Sequence, residues 1–436
     1  MQRFTKTSYY NDNDMIFVSS SLGGVIDFDR HDSFENMLRK IIVVPEYTRM
    51  SKIQQLGFLE NVIPTANHTR YEHCVGAFDL MRSLIYFSNR NWGRNRVNAL
   101  KFNKKEQVAQ TAALLHDLGH AFPGHPFERA IENIFPESFK SHEQWGTEIL
   151  CHSGIYDILN SYDSGFADRV LAVMAEDDLP NSIWQQIHCG NLNVDTMDYI
   201  HRDQSHVIGK QDVSLIRRII ENVKFGRNSM GQDALMLYPG AEEDFIKMLQ
   251  IRGDMYANVY LNGTAASAQE YLTDFFTQIQ NGLEMQKYRN DILKIQNPYV
   301  EFIKSRGTDI NSYLKLTSLT FYDLVQQLGN SQLGDLSKFA NKYRDISSNF
   351  SSFNFYKGSA CNVPSENEIQ DMKDRVENKG GIFRDVTVPL YNTKKPEIYC
   401  IRNEYDQLEK FSKLYPNIAN EKIRIISGFN TGNRTR

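Results

Sequence analysis

The chain has 436 residues, a formal net charge of −4 and a mean hydropathy of −0.48, enough for one large domain plus a smaller lobe and without the basic balance of a dedicated nucleic-acid binder. No apolar run approaches the roughly 18 residues of a membrane span, and the opening MQRFTKTSYYNDND has no apolar secretory core. Five scattered cysteines with no CxxC pair point to a reducing, cytoplasmic setting and away from a zinc–thiolate site.

Residues 14–29 read as a short hairpin turning at Gly23-Gly24. From about residue 34 the apolar period becomes helical. Helices are expected over 32–42, 47–56, 70–88, 104–117, 125–133, 141–152, 166–176, 181–187, 194–203, 212–223, 241–262, 264–281 and 284–295, punctuated by Pro64, Pro123, Pro126, Pro136 and Pro180. Residues 228–239 read as a second hairpin. The Ser-, Asn- and Gly-rich stretch 345–381 reads as loop and linker. Beyond it, 383–389, 397–402 and 423–427 read as extended, 403–414 as helical, and the tail GFNTGNRTR as disordered. The expected fold is mainly α: a helical domain over 1–330 with a short N-terminal β-hairpin, a loop-rich segment over 331–381, and a small C-terminal α/β lobe over 382–436.

Three of the eleven histidines, His116, His120 and His125, fall with Asp117 inside LLHDLGHAFPGH. Burying that many polar rings in an apolar setting is costly unless a cation or an anionic ligand engages them. With His73 and Asp195 the set offers imidazole nitrogen and carboxylate oxygen but no thiolate, which suits a hard or borderline divalent cation. Neighbouring residues on a helix point in different directions, so one cation recruits both His116 and Asp117 only at a helix end or in a wide cavity. Arg252, Tyr256 and Tyr260 recur at four-residue steps, and an arginine on an otherwise apolar stripe calls for an anionic partner, whether a substrate or a structural carboxylate. His142-Glu143 follows Ser141 and precedes Gln144, a pattern that can simply start a helix. His31, His68, His152, His188 and His201 read as structural.

Six blocks in order, YTRMSKIQQLG, TRYEHCVG, LLHDLGHAFPGH, SHEQWGT, NVDTMDYIHRD and RGDMYANVY, resemble the HD superfamily of metal-dependent phosphohydrolases, and within it the deoxynucleoside triphosphate triphosphohydrolases. The resemblance covers about residues 14–262 and makes the helical domain an HD domain. It implies that His73, His116, Asp117 and Asp195 hold a divalent metal ion (Mg, Mn, Fe or Co). It implies that His125 and His142 contact the α-phosphate, that His120 with Glu143 handles the proton, and that Arg70 and Arg252 bind phosphate. Gln55, Tyr199 and Asp203 fall where the sugar 3′-hydroxyl is read, Leu56 and Tyr260 where a 2′-hydroxyl is crowded out, and His206 on the pocket lining. The implied reaction releases deoxynucleoside and intact triphosphate, in a homo-oligomer (dimer, tetramer or hexamer) with a possible nucleotide activator. Thr196 stands where relatives carry a phosphate-binding lysine, for which Lys210 or Arg202 are candidate replacements, and SSLGGVID lacks their His-Gly turn. Two other readings stay open. One is a different HD phosphohydrolase: a nucleotide phosphatase, a (p)ppGpp or cyclic-nucleotide hydrolase, or a nuclease. The other is a non-enzymatic HD protein that binds nucleotide or nucleic acid.

Overall fold

The computed structural model describes residues 18–91, 93, 95, 98, 100–175, 190–209, 212–359, 364–379, 381–395, 397–402 and 407–430. The expected helix over 181–187, the hairpin residues 14–17, Lys210 and residues 431–436 of the tail lie outside them, whereas 428–430, expected as disordered, end a strand over Lys422–Asn430 whose partners are distant in sequence. The fold is mostly helical, with three small sheets among the described residues.

The Arg70–Asn91 helix is its axis. It opens on a reciprocal cap, with the Thr69 nitrogen donating to Glu72 Oε2 at 2.7 Å and the Glu72 nitrogen to Thr69 Oγ1 at 3.4 Å. Its apolar residues face two ways. Val75 and Phe78 join a large aromatic core with Phe58, Phe122, Phe275 and Phe321, whereas Ala77, Leu80, Leu84 and Ile85 join a second core with Val223, Leu235 and Phe245. A helix apolar on both sides is buried on both sides. The Lys104–Leu115 helix is divided in the same way, with Leu114 and Leu115 in the first core and Ala109 and Ala113 in the second.

β1 (Val18–Ser19) and β2 (Val25–Ile26) form the expected N-terminal hairpin. β3 (Val223–Arg227) and β4 (Asp233–Leu237) form a hairpin whose turn, not whose body, occupies 228–232. The alternating segment after Glu221 (Asn222-Val223-Lys224-Phe225) therefore feeds a strand, and the preceding helix is confined to Val213–Glu221. β7 (Ile398–Ile401) joins β4 in parallel and β8 (Leu408–Lys410) closes that sheet. The C-terminal strands thus complete a sheet begun by the helical part. Residues 407–414, expected as helix, carry β8 before the short Phe411–Leu414 helix.

The stretch 345–381, expected as loop, carries the Ile346–Asn349 helix, β5 (Ser351–Ser359) and the Glu366–Glu377 helix. Its polar composition hid the strand because β5 gains its backbone partners from β9 (Lys422–Asn430), over sixty residues further on. β6 (Ile382–Pro389) flanks β9 on the other edge, and the sheet rests on the Gly263–Glu284 helix, where Arg384 pairs with Glu270. The expected 47–56 helix is instead the Pro45–Thr48 turn and the 3-10 turn Arg49–Lys52. The chain then straightens so that Gln54 pairs with Thr69. The Gly154–Tyr162 helix was not expected from the sequence. Among the described residues no helix is long and apolar enough to cross a membrane.

Candidate active site

The Lys104–Leu115 helix ends with His116 as its C-cap, and Asp117 begins the turn that follows. A helix end is where adjacent His and Asp can reach one point. His73, one turn into its own helix, brings Nε2 to 3.2 Å from His116 Nε2. Asp195, in the first turn of the Val194–Ile208 helix, places Oδ1 3.0 Å from His73 Nε2 and 3.7 Å from His116 Nε2. Asp117 Oδ1 lies 3.5 Å from His116 Nε2, and its Oδ2 3.8 Å from His73 Nε2. Donors bound to one cation at ~2.1 Å stand about 3 to 3.4 Å apart at right-angled or tetrahedral geometry, so His73, His116 and Asp195 can hold a single divalent ion, while Asp117 lies beside them in a group with His116 and Cys74.

The imidazoles are oriented from behind. His73 Nδ1 sits 2.9 Å from Asp198 Oδ2, and His116 Nδ1 is 2.9 Å from the Ala113 carbonyl oxygen. Both Nδ1 atoms donate, which leaves each Nε2 lone pair for the cation. Asp198 is fixed in turn by Arg202 Nε and Nη2, both at 2.9 Å, and by Ser21 Oγ at 2.6 Å. Arg202 is therefore committed to Asp198 and the Ser19 carbonyl, and does not replace the missing lysine at Thr196. Cys74 Sγ also lies within reach of His116 and Asp117, but burial and then the Asp117 charge push its thiol well up, so it stays protonated.

Burial lowers the His73 pKa, but hydrogen bonds to Asp195 and Asp198 outweigh it and push the value up to about 10. In the metal-free chain the bound proton contributes stability that is complete below the ordinary imidazole value and lost as pH rises through about 10. A cation must displace that proton, so metal affinity is expected to rise by up to about tenfold per pH unit across neutrality. Equilibrium dialysis against Mn²⁺ between about pH 6 and 8 tests this, and a flat affinity would argue against imidazole ligation.

Beside the metal set lies a second cluster. His120 stacks on His142 with centroids 3.9 Å apart, and His125 meets both rings edge-on. All three surround Glu128. Its Oε1 is 2.8 Å from His142 Nδ1 and 3.5 Å from His120 Nδ1, and its Oε2 is 3.6 Å from His125 Nδ1. The short Glu128–His142 approach is an ion pair whose angles fall outside hydrogen-bond geometry. Burial, Arg70 and His142 hold His120 well below the usual imidazole value. Burial also opposes charge on His142, but Glu128 outweighs it and raises the pKa. Glu143 sits 3.2 Å from His142 Nε2, and the carboxylates facing His120 are Asp117, with Oδ1 3.3 Å from Nε2, and Glu128. Ser141 and Gln144 do form a capping box, and that cap presents His142 at the helix start.

Gly119 makes the stacking possible. A Cβ there would stand 1.9 Å from the His142 carbonyl oxygen and 2.3 Å from the Gly146 nitrogen. Gly119→Ala is expected to cost about 1–3 kcal/mol by overpacking. It should also part the His120–His142 pair; an unchanged urea midpoint would contradict that close crossing.

The third part is a pocket wall. Asp195, Tyr199 and Asp203 recur at four-residue steps on one helix face. Asp203 Oδ2 accepts from the Tyr260 hydroxyl at 2.7 Å, and its Oδ1 is 2.6 Å from His68 Nε2. His68, read as structural from the sequence, is thus part of this wall, with the His206 ring 4.4 Å away. His206 Nδ1 is 3.2 Å from the Thr65 carbonyl. The Gln55 nitrogen donates to the His68 carbonyl at 3.0 Å, while Gln55 Oε1 is buried without a partner. Leu56 and Tyr260 each pack against the cluster that holds Met255 and Val259. The run Tyr256–Tyr260 is a π turn rather than a continuation of the Ala241–Met255 helix.

The two arginines differ. Arg70, buried in the first turn of its helix, pairs with Asp117 Oδ2. Arg252 donates to the Pro389 and Leu390 carbonyls at 3.2 and 3.3 Å and lies over the Tyr256 ring. Asp198, Glu128 and His68 were missed in the sequence. The first two carried a signal, since each lies three residues from a residue already singled out, Asp195 or His125, on the same helix.

A family model described as HD domain matches residues 70–203. The chain is 26% identical over 304 residues to an HD domain-containing protein of Acanthamoeba polyphaga mimivirus, covering 66% of this chain and 61% of that one. It is 24% identical over 329 residues to the human deoxynucleoside triphosphate triphosphohydrolase SAMHD1, covering 68% of this chain and 49% of that one. The chain therefore spans between about half and two thirds of these relatives. A crystal structure of a phosphohydrolase from Bacteroides thetaiotaomicron superposes with a TM-score of 0.66 at 18% identity, covering 95% of this chain and 99% of that one. A hypothetical protein from Aquifex aeolicus gives a TM-score of 0.69 at 20% identity, covering 95% and 96%. Residues 70–203 match an HD domain, and the chain is distantly similar to the human deoxynucleoside triphosphate triphosphohydrolase SAMHD1.

Proposed function

We propose that the protein hydrolyses deoxynucleoside triphosphates to deoxynucleoside and inorganic triphosphate. The observation that carries this reading is the shared wall. One face of the Val194–Ile208 helix presents the metal ligand Asp195, then Tyr199, then the carboxylate of Asp203. A substrate whose phosphate lies at Asp195 has its sugar beside Tyr199 and Asp203. Asp203 still has acceptor capacity beyond Tyr260 and His68, and Gln55 Oε1 is an unpartnered buried acceptor, so both suit a sugar hydroxyl. Leu56 and Tyr260 narrow the same end, which favours deoxyribose.

A divalent cation held by His73, His116, Asp117 and Asp195 supplies Lewis acidity toward a phosphoryl oxygen. The chain supplies the rest. His142, whose pKa Glu128 raises, together with His125 and Arg70, meets the anionic oxygens of a group bearing about four negative charges. His120, kept neutral, is suited to accept a proton. Water adds to the α-phosphorus, the bond to the 5′-oxygen breaks, and a proton passes to the leaving deoxynucleoside oxygen.

Asp203→Ala and Asp203→Asn are expected to lower kcat/KM for deoxynucleoside triphosphates by about a hundredfold, the loss of hydrogen bonds to a charged group. Turnover of a sugar-free phosphodiester should change only a few-fold. Equal losses on both substrates would favour a different HD phosphohydrolase.

A further inference from the structure

We infer that the C-terminal turn 389–392 is a strap that completes the substrate site, setting Arg252 on one side and the start of the Asp195 helix on the other. This rests on the reading above that Arg252 meets the substrate's phosphates.

The strap leaves β6 at Pro389 and is tied down at each residue. The Leu390 nitrogen donates to the Glu421 carbonyl at 3.0 Å. Tyr391 is 1% exposed, stacks on Phe411, and donates its hydroxyl to Glu397 Oε1 at 2.9 Å. Asn392 is gripped through its backbone alone: its nitrogen donates to Asn191 Oδ1 at 2.8 Å and its carbonyl accepts from Asn191 Nδ2 at 3.0 Å. Asn191 lies two residues before Asn193, whose side chain caps the Val194–Ile208 helix that carries Asp195. The amide of Asn191 therefore couples the strap to a metal-ligand helix 201 residues away in sequence.

On the other side, the Pro389 and Leu390 carbonyls hold Arg252 Nη1. The Leu390 side chain covers Gly253, where an added Cβ would meet Leu390 Cδ2 and Ile423 Cδ1 at 2.6 Å each. These contacts immobilise a long side chain beside Tyr199 before substrate arrives. Neutral carbonyls orient the guanidinium without cancelling its charge. Ordering in advance removes an entropic cost from binding. Arg252 and Asp195 stand on separate helices that pack directly on each other, and the strap adds a second tie between them.

The test uses full-length protein, with inorganic triphosphate binding by calorimetry and KM and kcat for deoxynucleoside triphosphates. The variants are Leu390→Ala, Leu390→Met, Gly253→Ala and Asn191→Ala, with Arg252→Ala as reference. Leu390→Ala, Gly253→Ala and Asn191→Ala are each expected to weaken triphosphate binding and raise KM about tenfold with kcat nearly unchanged, whereas Leu390→Met, which keeps the volume, stays near wild type. Metal content and the circular-dichroism spectrum identify any variant that has failed to fold, and for those the Leu390→Met and Asn191→Ala comparison decides. If Arg252→Ala weakens triphosphate binding but the folded strap variants do not, the strap inference is overturned. If Arg252→Ala itself has no effect, the reading of Arg252 as a phosphate ligand fails and the strap inference falls with it.

Discussion

Replacing His116 by alanine is expected to abolish metal-dependent turnover, by about a thousandfold or more, while leaving the fold close to intact. His116 caps a helix end, and its ring faces Asp117, Asp195 and His73 rather than the apolar cores. Removing it takes one of four donors and leaves two carboxylates close together with less positive charge between them. A bound cation contributes several kcal/mol of charge stabilisation in the transition state, and each ~1.36 kcal/mol is a decade of rate. The ring's loss opens no large apolar cavity, so the thermal midpoint of the metal-free protein should move little. The check is paired: metal content by elemental analysis and turnover with each deoxynucleoside triphosphate. A His116→Ala protein that keeps stoichiometric metal and near-normal rate would contradict the assignment.

Asp198→Ala has the second large effect, and it falls on stability as well as on metal. Asp198 is fully buried and is the shared acceptor for His73, Arg202 and Ser21. Its removal leaves the Arg202 guanidinium buried with only the Ser19 hydroxyl and carbonyl as partners. Breaking a buried pair from one side costs about 3–5 kcal/mol because the remaining charge stays buried. Losing the carboxylate behind a ligand imidazole lowers metal affinity about 10- to 100-fold. Guanidinium unfolding and metal titration measure the two effects separately. Asp198→Asn keeps the volume and one acceptor and should fall between the two. Wild-type values for both measurements in Asp198→Ala would remove Asp198 from the site.

The sequence made the metal set readable because its chemistry is local. LLHDLGH places a His and an Asp at the end of an apolar helix, and the structure puts His116 at that end. Asp195 and His73 needed the ordered blocks around them. The Arg252–Tyr256–Tyr260 stripe was visible as spacing, but the π turn at Tyr256–Tyr260 was not, since backbone register is set by packing and not by residue type alone. The pairing of Glu143 with His120 comes from the family resemblance alone. Which carboxylate reaches His120 is decided by the crossing of Gly119 with the His142–Cys151 helix, a tertiary event. The C-terminal sheets were least legible. β5 sits in a Ser-, Asn- and Gly-rich stretch, and its pairing with β9 lies far beyond any local window. For the same reason the strap at 389–392, held by long-range contacts of its backbone and of the Leu390 and Tyr391 side chains, has no local pattern to announce it.

The most direct measurement is product analysis. Purified protein is incubated with each deoxynucleoside and ribonucleoside triphosphate, singly and mixed, with Mg²⁺, Mn²⁺ or Co²⁺, beside a His116→Ala/Asp117→Ala control. Deoxynucleoside together with intact inorganic triphosphate, absent in the control, is the expected result, and turnover appearing only in mixtures would identify an activating nucleotide. Nucleoside monophosphate with pyrophosphate, or no turnover with any metal and any mixture, would contradict cleavage of the bond between the α-phosphorus and the 5′-oxygen.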